Sequence, residues 1–404
     1  MGMGEQLRAV MPALANKTYF NYGGQGPLPD PSLQAILSCW QSIQELGPFT
    51  TAVWPLVNAT STHLRERLGH WLGVAPARLA FTENVTSGCV LPLWGLPWQQ
   101  GEALLLSDCE HPGVVAACQE LARRHGLEVG QFRVSDLRGS PEHTERVLLE
   151  RLEQALAPRT RLVVLSHLLW NTGQLLPIAR VAERLSSHPS RPWLLVDGAQ
   201  SLGSVPVAAA ASAADIYACT GHKWCCGPEG LGVVALSEQL LAQTQPTLIG
   251  WRSLLSEQVS GPEAAPGGSP FHSDGRRFEV ATSCIPLFAG LDCSLQLLEA
   301  EGSAEQRLES LRSTANRLWQ ELQKVPGVEP LLQEPPPAGL VSFTLTDAAG
   351  RAIKPEAIVD TLGEQAIWLR SLPEPACLRA CTHITTTAAD LERLLQALRG
   401  LQRG

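Results

Sequence analysis

One lysine and one aspartate in this chain each follow an apolar run that is typical of a buried strand. Lys223 stands in Thr220-Gly-His-Lys-Trp224 and is one of only four lysines among 404 residues. Asp197 opens Asp197-Gly-Ala-Gln200, directly after the apolar run Trp193-Leu-Leu-Val196. A lysine amine bonds covalently to an aldehyde, and a carboxylate keeps a pyridine nitrogen protonated so that the ring accepts electrons. The pair therefore predicts a site for pyridoxal phosphate, whereas a lone His-Lys pair would indicate only a solvated turn.

Apolar runs alternate with longer amphipathic stretches through the middle of the chain. Helical spacing over residues 113–124 and 144–156 separates runs that we expect to be buried strands, at 103–107, 162–166, 193–196, 215–219 and 232–236. This alternation predicts an α/β fold with a mostly parallel sheet flanked by helices. Ligands bind beyond the carboxyl ends of such strands, which is where His111, Asp197 and Lys223 fall.

The last third of the chain has a different pattern. Residues 256–273, rich in Gly, Pro, Ser and Ala, predict a flexible surface loop. Helices are predicted over residues 303–323 and 390–401, and an alternating strand over residues 341–345. This order of elements predicts a smaller α+β domain at the C-terminal end.

Composition narrows the class of protein. Hydrophobic residues make up 44% of the chain and charged residues 17%, which is typical of a soluble globular protein. The formal net charge of −8 provides no basic surface, so we expect no nucleic-acid partner. No apolar stretch approaches the ~18 residues of a membrane span, and the first residues have no signal-peptide core, so no membrane association is expected. Eleven scattered cysteines without a CxxC pair indicate a reducing, cytoplasmic location and no metal site.

Several segments together resemble the class V branch of the fold-type I pyridoxal-phosphate enzymes, the branch that includes the cysteine desulfurases. Within it, the similarity is greatest to the cyanobacterial-type cysteine/cystine C–S lyases. It rests on the segments around Asp197 and Lys223 and on six others: Tyr19-Phe-Asn-Tyr-Gly-Gly-Gln-Gly-Pro27, Thr82-Glu-Asn-Val-Thr86, Ser107-Asp-Cys-Glu-His-Pro112, Ser166-His-Leu-Leu-Trp-Asn-Thr-Gly173, Ile249-Gly-Trp-Arg252 and Arg277-Phe-Glu-Val-Ala-Thr282. Together these segments are far more specific than any one of them.

The resemblance implies a fold-type I PLP-dependent transferase fold. We expect residues 16–285 to form the large cofactor-binding domain and residues 286–404 the small α+β domain, with the N-terminal segment 1–15 associated with the small domain. A homodimer is also implied, because Thr282 matches a position that in the family reaches the phosphate of the partner subunit.

The resemblance also assigns contacts to the cofactor ring. His111 matches the histidine that stacks on the pyridine, although a histidine before proline is also a common helix cap or buried structural residue. Gln200 and Asn171 would donate to the ring hydroxyl oxygen. For Asn171, in Asn171-Thr-Gly, an ordinary turn is nearly as good an interpretation.

The phosphate is expected at a helix start, where free backbone N–H groups suit a dianion. Asn84, Val85 and Thr86 follow an apolar run and precede a helix, so they are the candidate cradle, with Thr220 and His222 adding contacts. An ordinary helix cap would have the same sequence.

An amino-acid carboxylate is best bound by a guanidinium, which offers a planar pair of donors. The segment Cys377-Leu-Arg-Ala-Cys381 resembles the C-terminal arginine segment that clamps the substrate in this branch. Arg379 is therefore the first candidate and Arg370 the second, while a surface salt bridge is the alternative for each. Trp251 resembles a residue at the mouth of the family's site, with a buried core tryptophan as an equal alternative.

These assignments predict a PLP-dependent C–S lyase that performs β-elimination on cystine or cysteine, giving pyruvate, ammonia and a persulfide or sulfide. Lys223 would act as the general base, with Asp197 and His111 supporting the ring. A cysteine desulfurase supplying an iron–sulfur assembly acceptor would need a cysteine thiolate on a mobile loop. The connection from Arg370 to Arg379 is short, and Cys377 is interpreted as structural.

Two further alternatives remain. An epimerase or transaminase of the same branch would use the same lysine on another amino acid. A pyridoxal-phosphate sensor without turnover is disfavoured by the intact set of Lys223, Asp197, His111 and Arg379.

Overall fold

A computed structural model describes residues 2–255 and 270–401. The predicted loop over residues 256–273 therefore lies mostly outside the described residues. The helices are α1 Glu5–Ala9, α2 Asp30–Leu46, α3 Trp54–Leu72, α4 Val85–Trp94, α5 Pro112–His125, α6 Pro141–Ala155, α7 Ile178–Ser186, α8 Ala208–Ala213, α9 Glu238–Leu241, α10 Ile285–Ala300, α11 Ala304–Leu322, α12 Pro355–Glu364 and α13 Ala388–Leu401. The strands are β1 Thr18–Tyr19, β2 Leu79–Thr82, β3 Ala103–Ser107, β4 Glu128–Phe132, β5 Thr160–Ser166, β6 Trp193–Asp197, β7 Ile216–Thr220, β8 Gly232–Leu236, β9 Val328–Pro330, β10 Leu340–Leu345, β11 Ile367–Trp368, β12 Arg370–Pro373 and β13 Ala376–Cys381.

The central sheet has seven strands in the order β2-β8-β7-β6-β5-β3-β4. The neighbours from β7 through β6, β5 and β3 to β4 are parallel, whereas β8 is antiparallel to both β7 and β2. Alternate residues of β5 enter two separate cores, Val163 and Leu165 on one face of the sheet and Leu162 and Val164 on the other. Both faces are therefore covered, which is why these strands are continuous apolar runs. The predicted α/β architecture is confirmed.

A second sheet, β12-β13-β10-β9, is formed by the C-terminal part of the chain. Its core includes Phe343 of β10, Leu318 of α11 and Leu394 of α13. The helix α10 packs against α2 and α3. The division of the chain into a large domain that ends at residue 285 and a small domain that begins at residue 286 stays a proposal.

The N-terminal segment is attached to the C-terminal part. Glu301 accepts hydrogen bonds from the Gly4 and Leu7 amides, at 2.7 and 2.9 Å, and Arg8 pairs with Asp390 of α13 at 3.0 Å. Farther on, β1 pairs in parallel with β11. The chain then enters the region between the two sheets, where the Gly26 amide donates to the His222 carbonyl at 2.8 Å.

No helix in the described ranges is both long enough and apolar enough to cross a lipid bilayer.

Candidate active site

The carboxyl ends of the central strands carry polar residues. Asp197 ends β6, Thr220 ends β7 just before the turn with Lys223, and Ser166 and Ser107 end β5 and β3. Because these four strands are parallel neighbours, their ends meet at one edge of the sheet. The turn after β7 thus brings Lys223 over the end of β6, as the sequence predicts.

A cavity of about 230 Å³ opens at this edge. The small C-terminal sheet closes its other side with β12 and β13. Six of the residues predicted from the sequence line it together: His111, Asp197, Gln200, Lys223, Arg370 and Arg379.

The lysine and the aspartate form an electrostatic pair in this cavity. Asp197 is 6% exposed, and its Oδ1 accepts the Ala199 N–H at 2.8 Å. Burial lowers the pKa of Lys223 to about 8, Asp197 opposes that shift, and Arg379 and Arg370 add to it. An amine with this pKa is substantially unprotonated slightly above neutral pH, so Lys223 is available as a nucleophile and as a base.

Arg379 has an unmet hydrogen-bonding capacity. It is only 3% exposed, and one Nη donates to the Trp170 carbonyl at 2.8 Å. Its Nε is buried and has no hydrogen-bond partner within the described part of the chain. Arg370 lies directly opposite on β12 and is exposed at the mouth of the cavity. Because Arg379 also lines the cavity, its guanidinium is suited to an anionic ligand such as a carboxylate.

His111 is a helix cap that also lines the cavity, and its stacking on the cofactor ring stays a proposal. It is the N-cap of α5, where its Nδ1 accepts the Gly113 N–H at 3.2 Å, and it also lines the cavity. Its ring lies 6.3 Å from the Trp170 ring at an angle of 63°. On the other side of the cavity Gln200 donates from Nε2 to the Gly23 carbonyl at 2.8 Å.

The predicted phosphate cradle lies at the start of α4. Asn84 caps this helix by accepting the Ser87 N–H at 2.9 Å, and the amides of Val85 and Thr86 have no acceptor within the helix. A Cβ on Gly232, which pairs with Thr220, would lie 2.8 Å from the Asn84 carbonyl carbon, so the helix start lies against the end of β7.

His222 lies at the same place, its Nδ1 2.8 Å from the Thr220 hydroxyl. Burial lowers the pKa of His222, and the Lys223 charge lowers it further, so the ring is biased toward its neutral form. These residues do not line the 230 Å³ cavity itself. They form a group of donors next to it, and their contact with a phosphate remains a proposal.

Three further predicted residues do not line the cavity either. Both hydrogens of the Asn171 amide are used, on Cys109 Sγ and the Glu374 carbonyl, and its oxygen accepts the Thr172 N–H. The structure therefore favours the turn interpretation of Asn171. Trp251 lines a separate cavity, with its ring 6.1 Å from that of Trp54. Thr282 is exposed away from the site of its own chain.

Sequence reasoning also missed residues that the structure places in or behind the site. Trp170 and Gly23 line the cavity, and both lie in segments that carried the family resemblance. Behind the cavity, Glu110 is 6% exposed and accepts hydrogen bonds from the Ser107 hydroxyl at 2.5 Å and the Ser166 hydroxyl at 2.9 Å. Its position next to His111 was the only signal in the sequence.

These residues fit pyridoxal phosphate. The amine of Lys223 can bond to the aldehyde, the buried Asp197 carboxylate can hold a pyridinium N–H, and the Arg379 guanidinium lines the same cavity and can bind a substrate carboxylate. The backbone approaches the site closely at Gly23, where a Cβ would lie 2.8 Å from Gln200 Oε1. The fold and the site define a fold-type I pyridoxal-phosphate-dependent enzyme.

The chain belongs to the aminotransferase class-V family, whose model matches residues 56–395. Among solved structures, the cystine C–S lyase C-DES in complex with its reaction product cysteine persulfide is 41% identical with a TM-score of 0.89, covering 97% of this chain and 99% of that chain. Another structure of C-DES, a mutant with glycine covalently linked to the PLP cofactor, has a TM-score of 0.90.

Curated relatives include enzymes with other activities. The isopenicillin N epimerase of Amycolatopsis lactamdurans is 30% identical over 97% of this chain and 96% of its own length. A probable cysteine desulfurase of Pseudomonas aeruginosa is 30% identical over 83% of this chain and 80% of its own. The proteins similar to this chain thus include a C–S lyase, an epimerase and a probable desulfurase, and the choice among these activities depends on the site.

Proposed function

We propose that this enzyme is a C–S lyase that performs β-elimination on cystine or cysteine. The observation that carries the proposal is the hairpin between the two arginine strands. Pro373 of β12 pairs with Ala376 of β13, so only Glu374 and Pro375 connect the strands. A two-residue turn leaves no mobile loop on which a thiolate could reach the sulfur of a substrate.

The cysteine nearest to this hairpin is also unsuited to accept sulfur. Cys377 is 0% exposed and packs against Leu331 and Leu372. Burial raises the pKa of its thiol to about 11, although Arg379 and Arg138 oppose the shift. Since a thiolate is the nucleophile in persulfide formation, this cysteine is poorly disposed for it. No cysteine lines the cavity among the residues that the structure describes.

In this mechanism each side chain has a separate task. Pyridoxal phosphate supplies the aldehyde and the electron-accepting ring. Arg379, which lines the cavity, holds the substrate carboxylate, and Arg370 adds charge at the mouth. Asp197 would hold the proton on the pyridine nitrogen, and His111 would cover one face of the ring.

Lys223 Nζ takes the proton from the substrate α-carbon. The electron pair of the β-carbon–sulfur bond then leaves with the sulfur, as a persulfide when the substrate is cystine. Hydrolysis of the remaining three-carbon fragment gives pyruvate and ammonia. A persulfide is a weaker base than a simple thiolate, so cystine has the better leaving group. We also propose that an iron–sulfur assembly protein accepts that sulfur, whether the enzyme is a lyase or a desulfurase.

A homodimer is part of the proposal. One face of α2 exposes large apolar side chains at helical spacing, with Leu33 41%, Leu37 45% and Trp40 46% exposed. The opposite face of α2 packs against α10. In a dimer formed through this apolar face, Thr282 would contact the phosphate bound in the other subunit.

Product analysis tests the proposed reaction. Purified enzyme is incubated with cystine and, separately, with cysteine, and pyruvate, alanine and protein-bound persulfide are quantified. Pyruvate formed without any thiol acceptor supports elimination. Alanine with a persulfide on the enzyme would identify a desulfurase, and deuterium exchange at the α-carbon with inversion and no pyruvate would identify an epimerase.

A further inference from the structure

The amide of Gln200 is held from both ends by protein groups. Trp224 follows Lys223 directly and is 0% exposed, and its indole Nε1 donates to Gln200 Oε1 at 2.9 Å. Gln200 Nε2 in turn donates to the Gly23 carbonyl at 2.8 Å. An indole N–H can only donate and a backbone carbonyl can only accept. Only one of the two orientations of the amide satisfies both neighbours, so the orientation is decided by chemistry.

This orientation determines what Gln200 offers to the cavity that it lines. One hydrogen of Nε2 is used by Gly23, and the second is left to donate. In the flipped orientation the amide oxygen would face the Gly23 carbonyl and the amide nitrogen would face the indole N–H. Both contacts would then be repulsive, in a place where Gln200 is only 4% exposed.

Trp224 is itself firmly positioned. Its carbonyl lies 3.2 Å from Nε2 of His383, whose Nδ1 lies 3.1 Å from the Thr385 hydroxyl. Burial lowers the pKa of His383 to about 4, so its ring is neutral and Nε2 is the donor to the carbonyl. The indole also has a backbone neighbour, because a Cβ on Gly339 would lie 2.9 Å from its Cζ3. The ring therefore has little room to turn away from Gln200.

The same amide connects the two halves of the site. Gly23, whose carbonyl Gln200 holds, lies against the substrate-side arginine, since a Cβ at this position would lie 3.0 Å from Arg379 Cζ. The turn at residues 21–24 is therefore hydrogen-bonded to Gln200 and lies against Arg379.

We propose that Trp224 is a positioning residue that fixes Gln200 as a hydrogen-bond donor toward an ionised oxygen on the cofactor ring, and that through Gln200 it holds the Gly23 turn against Arg379. This inference rests on the proposed function, because the contact between Gln200 and the ring is itself proposed. A site that presents a donor here selects an acceptor on its ligand. The deprotonated ring hydroxyl of the cofactor is such an acceptor.

The test compares tryptophan substitutions in the cofactor-loaded enzyme. Trp224→Phe keeps an aromatic ring but removes the N–H, and Trp224→His removes still more volume but keeps a ring N–H. Trp193→Phe is the matched control, because Trp193 is 6% exposed and its indole nitrogen has no partner among the described residues. The readouts are the visible absorbance maximum of the bound cofactor, its dissociation rate, and kcat and KM separately.

We expect Trp224→Phe to shift the absorbance maximum and to speed cofactor dissociation about tenfold, the effect of one lost hydrogen bond to a buried amide. Trp193→Phe and Trp224→His should keep the wild-type maximum. Combined with Gln200→Ala, Trp224→Phe should add no further shift, because the two substitutions interrupt the same contact.

The outcomes separate this inference from the proposed function. A wild-type protein that binds no cofactor would overturn the proposed function. If the wild type binds the cofactor normally, two results would overturn the role of Trp224 alone. One is that Trp224→Phe has the same absorbance maximum and dissociation rate as Trp193→Phe. The other is that its effects add fully to those of Gln200→Ala. Equal behaviour of the Phe and His variants would also overturn it, because lost volume would then be the cause. If Trp224→Phe does not fold, Trp224→His decides. An absorbance maximum and dissociation rate equal to those of the wild type support the positioning role of Trp224, and values equal to those of Gln200→Ala contradict it.

Discussion

At the scale of single residues, the charge state of Lys223 connects burial to reactivity. Its amine is expected to be protonated below pH 8 and free above it, because burial lowers its pKa to about 8. The enzyme without cofactor should therefore form a borohydride-reducible adduct with a simple aldehyde with a half-maximal rate near that pH. A lysine with an unperturbed pKa would reach its half-maximal rate of adduct formation only at about pH 10.4.

Two variants check this prediction. Lys223→Ala should abolish the adduct and lower turnover by a factor on the order of 10²–10⁴, the contribution of a positioned base. Arg379→Ala removes a neighbouring positive charge and should move the midpoint upward. A midpoint near 10 in the wild type, or an adduct that persists in Lys223→Ala, would place the reactive amine elsewhere.

Glu110 provides a second prediction, on stability. Burial raises the pKa of Glu110 to about 7, helped by the Asp197 charge and opposed by the Ser107 and Ser166 hydrogen bonds. The unfolded chain releases this proton near pH 4.3. The folded state therefore binds more protons between these values, and the free energy of unfolding must fall as pH rises through that window.

Glu110→Gln carries no titrating proton and should escape this loss. Relative to the variant, the wild type should lose on the order of 2 kcal/mol between pH 5 and 7, measured by denaturant unfolding at each pH. Glu120→Gln is the control, because hydrogen bonds from Arg123 and Arg124 lower the pKa of Glu120 to about 2 and it stays ionised throughout this range. Parallel pH profiles for the wild type and Glu110→Gln would contradict the prediction.

At the scale of elements, the β12–β13 hairpin predicts the fate of Cys377. If sulfur leaves with the substrate's own fragment, no protein thiol is needed. Cys377→Ser should keep most of the pyruvate formation from cystine. Mass spectrometry of enzyme stopped in mid-turnover should find no added sulfur on Cys377, whereas one additional sulfur there, with alanine as the main product, would favour a desulfurase.

The elements also explain how far the sequence predicts the fold. The buried strands β3, β5 and β8 were predictable because both of their faces are covered and they are continuously apolar. The edge strand β4, Glu128–Phe132, escaped prediction because four of its five residues are exposed. Polar residues such as Glu128 and Gln131 remove the apolar signal at an edge.

The residues of the site also fall into those that the sequence could predict and those that it could not. Residues at strand ends, such as Asp197 and Lys223, could be predicted because a parallel sheet brings its carboxyl ends together. Contacts between distant segments, such as Trp224 with Gln200, could not, because they depend on packing that no local pattern records. Asn171 has the sequence of a turn, and the structure uses it as one.

At the scale of the whole molecule, the apolar face of α2 predicts the oligomeric state. Leu37→Asp places a charge at the centre of this face and should raise the dimer dissociation constant roughly thirtyfold or more. Light scattering coupled to size-exclusion chromatography measures the change, with Glu329→Gln, on the exposed edge strand β9, as a control. A dimer unaffected by Leu37→Asp, or a wild type that is monomeric at all concentrations, would show that this face is covered in another way or not at all.

The placement of the N-terminal segment has a consequence for how the protein is made. The Phe20 carbonyl accepts the Cys381 amide at 2.7 Å, so a segment near the start of the chain is bonded to the strand that carries Arg379. A ribosome releases the first segment long before the second. The sheet that carries Lys223 and Asp197 can therefore form on the nascent chain before β13, the strand with Arg379, has been synthesised. A stalled or truncated product lacking β13 would expose a reactive lysine without the arginine that selects its substrates.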